Sequence, residues 1–470
     1  MKNAGAATGK ADPRRQLASV SALLERPEIK RWIANLSQPL VLEAIQQTLA
    51  AYRRDLKPGD AAPTKTKILA GIESRLRRRE LDRLRPVVNA TGIILHTGLG
   101  RAVLPQRAVD ALSGLNRCCN LQIDLDTGRR GNRNAMCVSL LKKLTGAEDG
   151  AIVNNNAAAT LLFLSALAKD REVIISRGQL IEIGGSFRLP DCIRQSGAKM
   201  VEVGATNKTH LRDYEQALTD QTAILLRVNP SNYRIVGFTQ DVPVAELAAL
   251  KKNRPVLVVD DLGCGALIDL SRYGLPKEPT VQESLAAGAD LVCFSGDKLI
   301  GGPQAGIILG KKELIEKIKK HPLSRMLRVD KLTALALEQT LRLFLEPETL
   351  LETNPTLRLL TLPAARLKER ALKLKALLDA EKLPFDFRVA KGESAMGGGS
   401  LPAVPIPTWV LSATSSQLTS DQLSRRLRLH EPPVIARIAN DQVQFDMRTL
   451  MDGDETIVVE ALKQVGRTNA

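Results

Sequence analysis

Lys298 lies in a stretch whose residue types favour chemistry at its amine. In "LVCFSGDKLIGGPQAG" (291–306), an apolar run from Leu291 to Phe294 stops at Ser-Gly-Asp-Lys, and a glycine-rich turn follows. Such short apolar runs are typical of buried β-strands. A solvated surface cation is the ordinary explanation of a lysine. A lysine held among small residues, however, can lose its proton and form a Schiff base with an aldehyde.

Two acidic residues end another apolar run. Asp260 and Asp261 follow "PVLVV" (255–259), and in an open α/β sheet ligands bind beyond the carboxyl ends of the strands. A carboxylate placed there beneath a pyridine ring keeps the ring nitrogen protonated and makes the ring an electron sink. A lone aspartate at a strand end is more often a helix N-cap, so the two aspartates indicate a cofactor site only in combination with the other candidate residues.

A run of small polar residues joins a strand-like segment to a helical one in "IVNNNAAATLL" (152–162). Backbone N–H groups at a helix N-terminus, assisted by asparagine side chains, can bind a phosphate, although "NNN" is more often a turn. The phosphate-binding candidates are Asn154, Asn155, Asn156, Ala157 and Ser295. A phosphate-binding turn, an acid and a lysine in this chain order predict pyridoxal 5'-phosphate and an enzyme of the aspartate-aminotransferase type.

Strand-like and helical segments alternate in the part of the chain that carries these residues. From 86 to 330 the pattern predicts a large α/β core with a mostly parallel sheet buried on both faces. We expect three flanking parts: a basic helical head with its linker at 1–85, a helical connection at 331–384, and a small C-terminal α/β domain at 385–470 with the glycine run "MGGGS" (396–400). In the head, the spacing predicts two helices within 14–54 and a third over 64–84.

The composition is that of a globular protein of the cytoplasm. The 470 residues are 44% hydrophobic and 25% charged, and no stretch reaches the ~18 apolar residues of a membrane span. The N-terminal sequence "MKNAGAATGKADPRRQ" has no apolar signal core, which predicts a loose cytosolic leader. Because the six cysteines form no CxxC pair and there are only four histidines, we expect no metal site, no disulfide framework and a reducing compartment.

The net charge of +16 is concentrated at one end of the chain. Residues 1–85 hold 18 Lys and Arg against 9 Asp and Glu, a net +9, which is typical of a surface for phosphate-rich partners. Aromatic residues make up only 3% of the chain, so we expect contacts to a nucleic-acid backbone rather than stacking on bases. A solvated helical face explains the same charge equally well, so charge alone leaves both interpretations open.

Ordered motifs along the chain resemble the bacterial selenocysteine synthase family, the seryl-tRNA(Sec) selenium transferases. The resemblance spans the whole predicted core and extends to "EPPVIARI" (431–438), whereas the head agrees only in size, charge and helical character. The matching stretches of the core are "NATGIILHTGLGRA" (89–102), "IVNNNAAATLL", "IEIGGSFRLPD" (181–191), "GATNKTHLRDYE" (204–215), "NPSNYRIVGFT" (229–239), "VVDDLGCG" (258–265), "FSGDKLIGGPQAG" (294–306) and "HPLSRMLRVDK" (321–331).

The resemblance implies a cytosolic enzyme of pyridoxal-phosphate fold type I that converts seryl-tRNA(Sec) to selenocysteinyl-tRNA(Sec). Water is eliminated from the seryl group, and selenium from selenophosphate is added. It also implies a homo-oligomer, a decameric ring built from dimers, with active sites at the dimer interfaces. The N-terminal helical domain is expected to hold the tRNA, which decides the ambiguous head charge in favour of RNA.

Carried over by position, the resemblance assigns roles to single residues. Lys298 matches the Schiff-base lysine, and Asp261, in "DLG", is the first choice for the pyridine nitrogen, with Asp260 second. Where the family motif usually has serine, this chain has Cys264. The arginines that match those binding the oxyanion of the selenium donor are Arg101, Arg325 and Arg328. The spacing of the last two predicts that they share one side of a helix.

Two other functions remain open at this point. One is a pyridoxal-phosphate lyase of the same fold that acts on a small amino acid or amino sugar without tRNA, against which the basic head argues. The other is a non-catalytic RNA-binding protein, against which the intact lysine, aspartate and phosphate-binding turn argue.

Overall fold

The computed structural model describes residues 12–57, 60–81, 84–252, 254–402 and 404–467. The chain divides into two compact units, Met1–Pro86 and Val87–Ala470. Most of the expected N-terminal leader (1–11), two residues of the expected helix break (58–59) and two residues of the basic run (82–83) lie outside the described residues.

The first unit is a small helical domain with its own apolar core. Its helices are Val20–Leu24 (α1), Pro27–Leu36 (α2), Gln38–Asp55 (α3) and Lys65–Leu81 (α4), preceded by a 3₁₀ turn at Pro13–Gln16. Buried residues at helical spacing on α3, such as Val41, Ile45 and Leu49, pack with Ile72 of α4. The prediction of two helices within 14–54 is wrong, because the chain forms a further helix after the expected break at Pro27. This helix, α2, ends before Ser37, whose φ is 128°.

The second unit contains all the strands of the described chain. Numbered in chain order, they are Val88–Ala90 (β1), Asp149–Val153 (β2), Glu172–Ser176 (β3), Glu182–Ile183 (β4), Phe187–Arg188 (β5), Lys199–Val203 (β6), Thr222–Val228 (β7), Leu257–Gly263 (β8), Leu291–Ser295 (β9), Gly306–Gly310 (β10), Asp386–Ser394 (β11), Ile406–Thr414 (β12), Val434–Ala439 (β13) and Gln442–Asp446 (β14).

The helices of this unit cover the strands. In chain order they are Gln106–Ser113 (α5), Ala135–Thr145 (α6), Asn156–Leu167 (α7), Leu189–Gln195 (α8), Leu211–Ala217 (α9), Val244–Lys251 (α10), Val281–Ala286 (α11), Lys312–Lys320 (α12), Pro322–Met326 (α13), Lys331–Leu343 (α14), Leu350–Thr353 (α15), Pro355–Thr361 (α16), Ala364–Ala380 (α17), Ser420–Arg428 (α18) and Asp454–Arg467 (α19).

A seven-stranded sheet forms the centre of the second unit. Its order is β2-β10-β9-β8-β7-β3-β6, and every pairing is parallel except the two made by β10. Two apolar clusters lie on its two faces, one holding Val258 and Val292 and the other Val259 and Cys293. Because successive side chains of a strand point to opposite faces, both faces must be apolar. This explains why the central strands are near-continuous hydrophobic runs.

A five-stranded sheet forms a second layer with the order β1-β13-β14-β12-β11. Its first strand, β1, comes from the segment before the large sheet and pairs in parallel with β13. Leu367, Leu374 and Leu378 of α17 pack on this sheet rather than on the large one. The C-terminal layer therefore recruits chain from both sides of the large sheet.

No helix among the described residues is both long and apolar enough to cross a bilayer. In the same residues, no group of three or more His, Cys, Asp or Glu side chains is arranged to hold a metal ion. The six cysteines are free thiols, and only Cys118 and Cys119 are exposed.

Candidate active site

Lys298 lies just beyond the end of β9, in the interior of the second unit. Lys298 is only 5% exposed. Its Nζ donates a hydrogen bond to the carbonyl oxygen of Gly399 at 3.2 Å. No carboxylate forms an ion pair with it among the described residues. Burial, which penalises the charged ammonium, lowers the pKa of Lys298 below its usual value. Burial therefore favours the uncharged form of this amine more than an exposed site would.

The two aspartates of β8 point to opposite faces of the sheet, as strand geometry requires. Asp260 is fully buried and accepts from Arg227 Nη1 at 2.8 Å and from Ser284 Oγ. Asp261 is 6% exposed and faces α7 instead. The structure therefore brings Asp261, and not Asp260, to the side of the sheet on which Lys298 lies.

Three donors surround the carboxylate of Asp261. Asn156 Nδ2 donates to Oδ1 at 2.8 Å, the backbone N–H of Gly263 donates to Oδ1 at 3.0 Å, and Thr160 Oγ1 donates to Oδ2 at 3.3 Å. Burial raises the pKa of Asp261, while the hydrogen bonds from Asn156 and Gly263 and the charge of Lys298 oppose that rise. A cationic group placed next to this carboxylate would therefore be stabilised strongly.

The "NNN" segment forms the N-terminus of α7. Asn155 is its N-cap and accepts from the N–H of Ala158 at 2.9 Å. Asn156 and Ala157 occupy the first turn and line the same cavity as Lys298, as do Asn155 and Ser295. The backbone N–H of Asn154 donates to Leu327 at 2.9 Å, and this asparagine does not line the cavity.

A cavity of about 320 Å³ brings these groups together. An amine, a buried carboxylate and a helix N-terminus are what an aldehyde, a pyridine nitrogen and a phosphate require. Two buried oxygens at the cavity, Asn156 Oδ1 and Asp297 Oδ1, have no hydrogen-bond partner among the described residues. Since buried polar atoms rarely lack a hydrogen-bond partner, these two unpaired oxygens indicate that a polar ligand binds here. The residues fit pyridoxal phosphate.

The three candidate arginines lie in different surroundings. Arg101 lines the cavity, with Nη1 2.8 Å from Asp297 Oδ2. Arg325 and Arg328 are exposed and do not line it. The prediction that Arg325 and Arg328 share one helix is wrong: α13 ends at Met326, and Arg328 lies beyond it in an isolated bridge with Val153.

Two groups that line the cavity, Asp297 and Thr160, were not predicted from the sequence. Asp297, which holds Arg101, immediately precedes the lysine and lies in the same 291–306 stretch. Thr160 carried no signal, because only the helical turn of α7 places it over Asp261. Cys264 is buried, with Sγ 3.4 Å from Glu278 Oε2, and burial raises its thiol pKa, so it is an inert thiol.

Comparison with solved structures confirms the predicted fold class. A D-glucosaminate-6-phosphate ammonia-lyase superposes with a TM-score of 0.55 over 82% of this chain and 97% of that chain, at 19% identity. At that identity the likeness shows the fold alone, which is the α/β fold type I of pyridoxal-phosphate enzymes.

Comparison of sequences gives the family. Residues 87–451 match the family described as L-seryl-tRNA selenium transferase, and residues 14–53 match the domain described as selenocysteine synthase N terminal. An L-seryl-tRNA(Sec) selenium transferase of Moorella thermoacetica is 46% identical over 96% of this chain and 96% of its own length. One of Clostridium botulinum is 42% identical over 96% and 98%. The resemblance inferred from motifs is confirmed, and the chain belongs to the L-seryl-tRNA selenium transferase family.

Proposed function

We propose that this chain converts seryl-tRNA(Sec) to selenocysteinyl-tRNA(Sec), replacing the seryl hydroxyl by selenium from selenophosphate. The observation that carries the proposal is the buried amine of Lys298, which makes no ion pair among the described residues and lies in one cavity with Asp261. Sequence identity supports the same conclusion: the chain is 42% to 46% identical to L-seryl-tRNA(Sec) selenium transferases over nearly its full length.

Lys298 is the group that holds the cofactor and moves the proton. Pyridoxal phosphate, the cofactor of this enzyme, supplies an aldehyde carbon for an amine and a ring that accepts the electron pair left when a proton leaves the serine α-carbon. Because burial lowers its pKa, the Lys298 amine loses its proton more easily than an exposed lysine, and the uncharged amine is the nucleophile. The same amine would take up the α-proton and pass it to the departing β-hydroxyl.

Asp261 is the carboxylate that would hold a proton at the pyridine nitrogen of the bound cofactor. Its carboxylate is kept in place by Asn156 and Thr160 from α7 and by the N–H of Gly263. Asp260, tied to Arg227 and Ser284 on the other face, stabilises the sheet beneath the site. The first turn of α7 is the candidate phosphate site, where Asn156 and Ala157 lie beside Ser295.

Arginine side chains are the candidates for the selenium donor. Selenophosphate is a small anion with several charges, and guanidinium groups bind such anions well. Arg101 already lies at the cavity beside Lys298. Arg325 and Arg328, exposed and outside the cavity of their own chain, are available to a second copy, as expected for active sites at the dimer interfaces of a decameric ring.

The head, residues 1–85, is the proposed tRNA-binding domain, attached to the core at 86–330, the connection at 331–384 and the C-terminal domain at 385–470. Exposed cations of α3 and α4 without an ion pair among the described residues support this role; they are Arg53, Lys65, Lys67 and Arg75. Backbone phosphates are their natural ligands. Such a protein would work in the cytoplasm, where free thiols persist.

The decisive experiment uses the full chain loaded with pyridoxal phosphate, seryl-tRNA(Sec) and selenophosphate. We expect selenocysteinyl-tRNA(Sec), detected as labelled selenium bound to RNA and released by mild base. Formation of free pyruvate or ammonia from a small amino acid or amino sugar, without any selenium on the tRNA, would contradict the proposal. The likeness to an ammonia-lyase does not favour that alternative, because at 19% identity it shows the fold alone.

A further inference from the structure

A second cavity adjoins Lys298 on the side of the five-stranded sheet. It has a volume of about 560 Å³, within the range of roughly 300–1,000 Å³ typical of small-molecule sites. Ser231 lines both this cavity and the cofactor cavity. Gly399 lines the second cavity, and its carbonyl oxygen accepts from Lys298 Nζ at 3.2 Å. The two cavities therefore meet at the reactive amine.

The glycine run forms one wall of this second cavity. Residues 397–399 have φ values of 72°, 63° and 74°, a region that strongly favours glycine. A Cβ on Gly397 would lie 2.4 Å from Ile93, and one on Gly399 would lie 3.4 Å from Lys298 Nζ. The N–H groups of these three residues donate to no acceptor among the described residues. Gly397 and Gly399 of this wall line the cavity, and their N–H groups are not used by acceptors of the described chain.

Ser400 supplies an independent sign of a ligand. It lines the cavity and is only 2% exposed, and its Oγ is buried without a hydrogen-bond partner among the described residues. A buried hydroxyl without a partner is destabilising. A ligand with both donors and acceptors would satisfy it.

The charged residues that line the second cavity indicate the kind of ligand it binds. Arg437 and Glu393 are the only charged residues among those that line the cavity, and their charges cancel. Arg437 is held by the carbonyl oxygen of Glu393 at 2.9 Å and by Gln444 at 3.1 Å, and its side chain is 31% exposed. A free oxyanion with several charges would prefer a site with excess positive charge. A neutral nucleoside with one flanking phosphodiester suits this lining better.

We propose that this cavity binds the 3'-terminal aminoacyl nucleoside of the tRNA, with the ester carbonyl on the N–H groups of Gly397 and Gly399 and a ribose hydroxyl on Ser400. The inference rests on the proposed function: the seryl amine must replace the Lys298 amine, so the ribose esterified to serine must lie within a few bonds of it. The cavity that meets the cofactor cavity at Gly399 is the space in which that ribose fits. Donors on the ester carbonyl also make the serine α-proton easier to remove.

The test uses the full chain loaded with pyridoxal phosphate and a stable probe, the amide of serine with 3'-amino-3'-deoxyadenosine. Calorimetry gives its affinity for the wild type and for Ser400→Ala, Gly399→Ala and the control Ser424→Ala, a buried serine of α18 outside the cavity. We expect about fivefold weaker binding for Ser400→Ala, the loss of one hydrogen bond, and a larger loss for Gly399→Ala. We expect no change for Ser424→Ala.

A second measurement separates this subsite from the rest of the tRNA-binding surface. Ser400→Ala should raise the KM for seryl-tRNA(Sec) by the same factor while leaving the affinity for tRNA(Sec) without its terminal adenosine unchanged. Wild-type affinity of Ser400→Ala for the probe, together with an unchanged KM, would overturn the inference while leaving the proposed function intact. A wild type that makes no selenocysteinyl-tRNA would overturn the proposed function instead.

Discussion

The head and the α/β unit use positive charge in opposite ways. In the head, exposed cations make no ion pair among the described residues; they are Arg53, Lys65, Lys67 and Arg75. In the α/β unit, Lys298 is 5% exposed and its pKa is lowered by burial. Exposed cations attract anionic partners through forces that salt screens. A buried amine loses its proton more easily and can then react as a nucleophile. Under the proposed function, positively charged side chains thus serve recognition in one unit and bond chemistry in the other.

Removing the buried amine should have the largest effect. Lys298→Ala takes away the nucleophile and the proton carrier together, and we expect formation of selenocysteinyl-tRNA to fall by on the order of 10³-fold or more. Borohydride reduction followed by peptide mass spectrometry should fix the cofactor on Lys298 in the wild type and not in the variant. Lys373→Ala, an exposed lysine of α17, is the control and should keep full activity. Substantial turnover by Lys298→Ala would contradict the assigned role.

The buried carboxylate beside it should have the next largest effect. Asp261→Asn keeps the shape but removes the charge that holds a proton at the ring nitrogen, and we expect kcat to fall on the order of 100-fold. The cofactor should still bind, with an altered absorption spectrum, since Asn156, Ala157 and Ser295 remain. A kcat within a factor of two of the wild type would show that another group holds that proton.

Asp260→Asn is the matched comparison on the other face of β8. It breaks the buried pair with Arg227, both of whose members are largely or fully buried, and we expect a loss of about 3–5 kcal/mol in the free energy of unfolding. Denaturant titration measures this loss. The activity per folded molecule should remain near that of the wild type, and an activity loss equal to that of Asp261→Asn would remove the distinction between the two faces.

The exposed cations should act more weakly and depend on salt. Replacing Arg53, Lys65, Lys67 and Arg75 by glutamine should weaken binding of tRNA(Sec) and lower the slope of log affinity against log salt by roughly 0.7 for each phosphate that the variant no longer neutralises. The cofactor spectrum should not change. Arg77→Gln is the control, because Arg77 is already paired with Glu73 at 2.7 Å. An unchanged slope in the fourfold variant would show that these cations are only a solvated surface.

The smallest effect concerns stability and pH. Because the pKa of Lys298 is lowered in the folded chain, the unfolded chain binds more protons between that lowered pKa and the ordinary lysine value of about 10.4. The free energy of unfolding of the cofactor-free protein should therefore rise with pH across this window. Lys298→Met should lose that slope and exceed the wild type in stability at neutral pH. If the free energy of unfolding changed with pH in the same way in both proteins, the lowered pKa of Lys298 would be contradicted.

Patterns along the chain were sufficient for the fold class and for the position of Lys298 just beyond a buried strand. Near-continuous apolar runs such as β9 specify strands buried on both faces, and the small residues around Lys298 specify a turn beyond a strand end. Both signals are local, because side-chain alternation and turn chemistry depend on neighbours in the chain. The sequence did not predict that the C-terminal sheet includes β1, because β1 pairs with β13, a strand more than 300 residues away in the chain.

The sequence by itself determined the chemistry available to this protein: one lysine after a strand, two adjacent aspartates, an asparagine turn and a basic helical head. Only the tertiary structure decided how these groups are used. It turned Asp261 toward α7 and Asp260 toward Arg227, placed Arg101 beside Lys298 but not Arg325 or Arg328, and laid the glycine run against the amine. The physical reason is that residue type and spacing fix what a side chain can do. Which groups meet depends on strand order and on packing between segments distant in the chain.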